Sequence, residues 1–461
     1  MLSRLGPRRA GLLADALTIV SIVAVGVCVA AVLERGDVQQ PDTRIGSATT
    51  PEVTAVDAPE PTSEPVDTTF RSPELAFPTT IPGCDNVERP VPESGTWGRF
   101  VTSADSYDNP QYPWYSGPRS VMMTEALGDA LPDGVDVAFG STRESLVFQP
   151  IPQTSSEPGD PPPPGFASAS AEMWRGETLG LLAVDVSAAG TDVPPCVAGA
   201  LQERTTARDG TIVDTNESWY EYGDDRTNFR SVVAYAPDGS RISATASDSE
   251  GFQSTNVGER DVVLTIDELK TIVSLPQLRI AAAIPSGTPE PAEACDNSFA
   301  FSSGGAKIDA ASAKSLNTAL ERIDTGLRFD RGLNTLMLAA FDAGVVCTHV
   351  DVLDTGADLS ISIRGGQELP TIPDVYDPAY ASRPLSTETL DGGAVLQIDE
   401  SPYSYSPVPE SGSSGGMRRS VTVTYPSGTQ VQVRSHAENP DEPLDADTLR
   451  VIATAERLDA L

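Results

Sequence analysis

The chain has 461 residues, and its 31 basic against 66 acidic side chains give a formal net charge of -35. A surface this acidic repels a phosphate backbone, which excludes nucleic acid as a partner. The length leaves room for about two or three domains, each large enough to bury its own core.

Residues 1–15 form a short basic tail carrying Arg4, Arg8 and Arg9, followed by an uncharged run from Ala16 to Leu33. As a helix rising about 1.5 Å per residue, that run covers roughly 27 Å, enough for the hydrocarbon core of a bilayer. The arginines predict a single-pass transmembrane helix at 16–33 with the N-terminus in the cytoplasm and the bulk of the chain extracytoplasmic. The alternative is a signal peptide cleaved near Val29-Ala30-Ala31. Cys28 follows Val27, which argues against lipidation. Residues 34–83 are acidic and rich in proline and threonine, a composition that predicts a disordered tether.

Beyond it the sequence repeats itself. Residues 84–283 read as a first repeat, 284–294 as a linker and 295–461 as a second repeat. The copies open at Cys84-Asp85-Asn86 and Cys295-Asp296-Asn297. Each continues with a helical pattern, Ser120 to Leu131 and Ala310 to Ile323. Apolar runs, G-L-L-A-V-D-V-S-A-A-G and L-M-L-A-A-F-D-A-G, then lead to Cys196 and Cys347 and are expected to be buried strands. Two outer cysteines per copy predict the disulfides Cys84 with Cys196 and Cys295 with Cys347, in an oxidising compartment.

Further on, Glu217-Ser218-Trp219-Tyr220-Glu221-Tyr222 matches Glu400-Ser401-Pro402-Tyr403-Ser404-Tyr405. A hairpin follows in both, Ser231 to Ala246 and Ser420 to Ser435, with alternating apolar residues around Pro-x-Gly turns. Each copy closes on a helix, with Thr265 and Asp445 as N-caps. Helix, antiparallel strands, hairpin and helix predict an α+β fold: two tandem disulfide-stapled domains with mainly antiparallel sheets and flanking helices.

The chemistry is sparse. The sequence holds neither P-loop, dinucleotide fingerprint, CxxC nor HExxH, and its two histidines are His349 and His436. The repeat alignment sets His349 opposite Ala198 and His436 opposite Ser247, outside the shared framework. A serine triad lacks its Gly-x-Ser-x-Gly turn, and the acidic run Glu438 to Asp447 reads as a solvated loop. No catalytic, metal or cofactor site is therefore expected. The candidate contact surface is the repeated tyrosine pair, Tyr220 with Tyr222 and Tyr403 with Tyr405, which equally suits packing on a sheet. The expected function is a membrane-anchored, extracytoplasmic binding or sensor protein of a bacterial envelope, non-enzymatic, with a protein or envelope-polymer partner. A hydrolase and a structural subunit of an envelope complex are the alternatives.

Overall fold

The computed structural model describes residues 69–90, 101–102, 107–151, 153–154, 165–223, 225–249, 261–292, 306–340, 342–370, 385–405, 414–438, 441–459 and 461. In the first half the strands are β1 (Phe70–Arg71), β2 (Val87–Glu88), β3 (Val101–Thr102), β4 (Val135–Val137), β5 (Gln153–Thr154), β6 (Phe166–Arg175), β7 (Thr178–Ala188), β8 (Cys196–Val197), β9 (Glu203–Thr206), β10 (Ile212–Tyr222), β11 (Asp225–Tyr235) and β12 (Ser240–Ser247). Helix α1 (Gly117–Asp129) precedes β4 and helix α2 (Ile266–Val273) follows β12. The second half contains α3 (Ala310–Leu320), β13 (Met337–Ala339), β14 (Asp342–Asp351), β15 (Asp358–Arg364), β16 (Leu385–Thr389), β17 (Val395–Tyr405), β18 (Ser414–Thr424), β19 (Gln430–Glu438) and α4 (Ala446–Ala453).

Two large sheets carry most of these strands, β2–β8 and β3–β5 forming separate two-stranded pairs, and the orders of the large sheets coincide. The first runs β9-β10-β11-β12-β7-β6-β4 and the second β16-β17-β18-β19-β15-β14-β13, with every neighbouring pair antiparallel. In chain order each sheet is a three-strand meander and a four-strand meander, joined so that the last strand lies beside the third. The paired hairpins of the sequence form the centre, β11–β12 and β18–β19. At their turns Gly239 (φ +87°) and Gly428 (φ +90°) take the left-handed conformation and donate to Ala236 O and Tyr425 O, a geometry that costs glycine least.

The α+β expectation is corrected by these proportions: of the described residues 39% are strand and 15% helix, so the fold is mainly β. The helical periodicities were real but mark short helices, of 8 to 13 residues, while strands reach 11 residues. Helix α2 lies on β11 and β12, and α4 lies on β18 and β19. Both N-caps are as expected, Thr265 accepting from Glu268 N and Asp445 from Thr448 N. Leu269, Ile272 and Val273 of α2, and Leu449, Ile452 and Ala453 of α4, are buried against their sheets. Burying each larger side chain contributes about 1.5–3 kcal/mol. The cores are separate clusters, one per sheet, except that Phe139 from the loop after β4 packs against the second core. Leu338 N donates to Gly140 O at 3.3 Å beside it.

Other expectations need revision. Among the described residues no helix is long and apolar enough to cross a membrane, and Ala16–Leu33 lies outside them. The tether was expected to reach Gly83, but from Thr69 the chain is already part of the fold: β1 pairs with the end of β10, Phe70 opposite Tyr222. The described residues contain the expected disulfide Cys84–Cys196. Cys347 is disulfide-bonded as well; Cys295, its expected partner, lies outside the described residues.

The cysteines also occupy different places in the two sheets. The run before Cys347 is not one buried strand but the short β13 and the start of β14. Through the strand registers Cys347 on β14 therefore corresponds to Ser168 on β6, not to Cys196, and His349 to Ser170, not to Ala198.

The Cys84–Cys196 bridge spans 112 residues and sits with Ile81 and Leu201 in a small apolar cluster. Replacing both cysteines by serine is expected to lower the unfolding free energy by about 4–5 kcal/mol, the loop-entropy value for that span, read as a lower urea midpoint under non-reducing conditions.

Candidate functional site

At one end of the first sheet the β10–β11 hairpin extends past the helical layer, and its floor there is built from two cross-strand rows. One row pairs Glu217 with Arg230, the next Trp219 with Asn228. The segment Asp261-Val262, which leads into α2, forms the wall. Together they enclose an open cleft of about 510 Å³.

Its side chains are fixed by bonds that need no ligand. Arg230 donates Nε to Glu217 Oε1 at 2.9 Å and Nη1 to the carbonyls of Val262 and Leu264, each at 3.1 Å. Asn228 gives its backbone N–H and its side-chain amide to Asp248, at 2.8 and 2.6 Å. Arg226 donates Nε to Asn228 Oδ1 at 3.3 Å, and its guanidinium stands 4.4 Å from the centre of the Trp219 ring, a cation–π contact.

The second half repeats this framework. Arg419 donates Nε to Glu400 Oε1 at 2.6 Å and Nη1 to Pro443 O and Leu444 O, at 3.3 and 2.8 Å. The floor, however, is different: Pro402 and Met417 occupy the row held by Trp219 and Asn228. By the alignment of the closing helices Asp441-Glu442 stands where Asp261-Val262 does.

The tyrosines singled out in the sequence lie next to this cleft on β10. Tyr220 alternates with Trp219 and so takes the other face of the sheet, where its ring lies 6.1 Å from Phe70 and 6.3 Å from Phe229. Tyr222 is 41% exposed at the strand end. Tyr403 and Tyr405 face Gly416 and Ser414 across β17–β18, and their side chains lie outside the described part. Sequence reasoning marked the Trp219/Pro402 difference between otherwise matching stretches as a source of two unequal surfaces, but passed over Asn228, which no local signal singles out.

Both histidines fall on one face of the second sheet. His349 Nδ1 is 2.9 Å from Ser360 Oγ, and His436 Nδ1 is 3.0 Å from Asp358 Oδ2, so the serine and the carboxylate belong to different histidines. Among the described residues no cluster of three or more His, Cys, Asp or Glu is arranged to hold a metal ion. A third polar feature lies at the centre of the first sheet, where Asp185 of β7 is buried opposite Ser168 and Ser243. Burial raises its carboxyl pKa, against opposing effects of the Ser168 hydroxyl and the Arg241 charge.

The fold and site define a tandem-duplicated, mainly β protein with one cleft framework made twice. No family model, curated protein or solved structure matches the chain.

Two substitutions probe these groups. Arg230→Ala, and likewise Arg419→Ala, leaves two carbonyls and a carboxylate without their donor, and each is expected to cost about 1–3 kcal/mol, measured by urea unfolding. Asp185→Asn is expected to stabilise the protein at neutral pH. Because the folded state binds this proton more tightly than the unfolded chain does, the carboxylate penalty is complete above the raised pKa and disappears below the ordinary carboxylate range. The advantage of the asparagine should therefore shrink as the pH falls, in the same unfolding measurement.

Proposed function

We propose that the chain is a non-enzymatic, extracytoplasmic binding protein of a bacterial cell envelope, and that the Trp219 cleft is its ligand site. The observation that carries this reading is the contrast between the two clefts. The arginine, its glutamate and the carbonyls it holds are present in both halves, while the row exposed on the floor is Trp219 and Asn228 in one and Pro402 and Met417 in the other. A scaffold kept constant while its floor residues change is what two related but unequal binding surfaces require. The Cys84–Cys196 bond supports an oxidising compartment, and association with the membrane through Ala16–Leu33 belongs to the same reading. A protein or an envelope polymer is the partner.

Sedimentation of the purified chain with the insoluble envelope fraction of its own cells tests this. The intact chain is expected to pellet, and Trp219→Ala to raise the concentration needed by about tenfold, a loss of about 1.4 kcal/mol. Equal pelleting by a folded Trp219→Ala variant would move the site elsewhere. A hydrolase is the second reading, with His349 beside Ser360 and His436 beside Asp358 as its candidate groups. Turnover of an ester, peptide or glycan that is lost in His349→Ala or His436→Ala would put it first.

A further inference from the structure

We infer that the Trp219 cleft takes a segment of a neutral, polyhydroxylated chain, an uncharged glycan; this rests on the binding reading above and narrows it to one ligand class.

The indole is the first reason. Trp219 lines the cleft half-buried, and the Arg226 guanidinium, 4.4 Å from its ring centre, covers one face, so the rest of the indole is the rigid apolar plate. Such a plate complements the flat C–H face of a sugar ring and loses little conformational freedom on contact.

The polar groups are the second reason. Around the plate stand planar side chains, the Asn228 amide, the Arg230 guanidinium and the Glu217 carboxylate, each already oriented by bonds to Asp248, to the Val262 and Leu264 carbonyls, or across the hairpin. Vicinal hydroxyls both donate and accept, and a fixed array offering donors and acceptors side by side meets them without the cost of ordering long side chains.

Charge is the third reason. The net charge of -35 repels phosphate-, sulfate- or uronate-bearing polymers. The cleft is lined by two carboxylates, Glu217 and Asp261, and one guanidinium, Arg230, with Arg226 and Asp248 beside them, so charge argues against an anionic ligand and the cationic one is left to the test. In the second half Pro402 and Met417 supply neither plate nor amide, so the inference assigns the site to the first half alone.

Isothermal titration of the full chain with soluble neutral oligosaccharides, in glucan, mannan, galactan, arabinan and chitin-type series, tests the class, with dextran sulfate and oligo-lysine as charged probes. At least one neutral series is expected to bind with little dependence on salt. Trp219→Ala should weaken that binding by at least about tenfold, and Trp219→Phe, which keeps a smaller plate and serves if the alanine variant fails to fold, by a smaller factor. Pro402→Trp with Met417→Asn should add weak binding by the second half. Binding of oligo-lysine instead, steeply salt-dependent and lost in Trp219→Ala, would keep the cleft as a site and overturn the glycan class. Neutral-glycan binding that a folded Trp219→Ala variant retains unchanged would overturn the location. Silence from every neutral series would overturn the class outright, while the envelope sedimentation stands or falls separately.

Discussion

One arginine in each half holds the architecture together. Arg230 and Arg419 reach from the central hairpin to the edge-side strand through a glutamate, and to the approach of the closing helix through two backbone carbonyls. A short helix has little intrinsic stability and depends on its packing. Its position on the sheet is therefore set by where the chain enters it, and the guanidinium, with its planar fork of donors, fixes that entry. The same contact makes the cleft, because the segment it pins becomes the wall and the strands that carry it become the floor. Helix placement and site geometry thus have a common origin.

With that framework constant, the copies have diverged where the framework does not reach. The first half buries a carboxylate, Asp185, among serines in the middle of its sheet. At the position corresponding to it the second half has Ser362, and it places cysteine and histidine where the first half has Ser168 and Ser170. The core faces stay apolar in both halves but are filled differently: β6 turns Ala167 and Ala171 inward where β14 has Val346 and Val350.

Much of this fold could be read from the chain because its signals are local. The Pro-x-Gly turns fixed both hairpins and their register, and Thr265 and Asp445 marked both closing helices. Cysteine spacing found the Cys84–Cys196 pairing but was a poor guide to the strands, since a disulfide constrains two points of the chain and says nothing about the strand that carries each. Cys196 lies on the short β8 and Cys347 on the long β14, which a linear alignment sets side by side. The balance of helix and strand was misjudged because short amphipathic helices have clear periodicity, while strands such as β10 mix polar and apolar residues on both faces. The cleft was least legible: Trp219, Asn228 and Asp261 come from three segments and meet only once the hairpin has formed and the arginine has drawn the wall towards it. The tyrosines attracted notice by repetition, yet repetition marks what both copies need, and Tyr220 is accordingly stacked on Phe70 with Phe229 tilted against it.

The insertion of Phe139 into the neighbouring core also bears on why there are two copies. A loop of one unit docking on the edge strand of the next is a head-to-tail contact, the kind that can be repeated without closing and so builds filaments or long arrays. In the second unit the corresponding edge strand ends at Ala339 and the next begins at Asp342, a connection too short to repeat the contact that Phe139 makes.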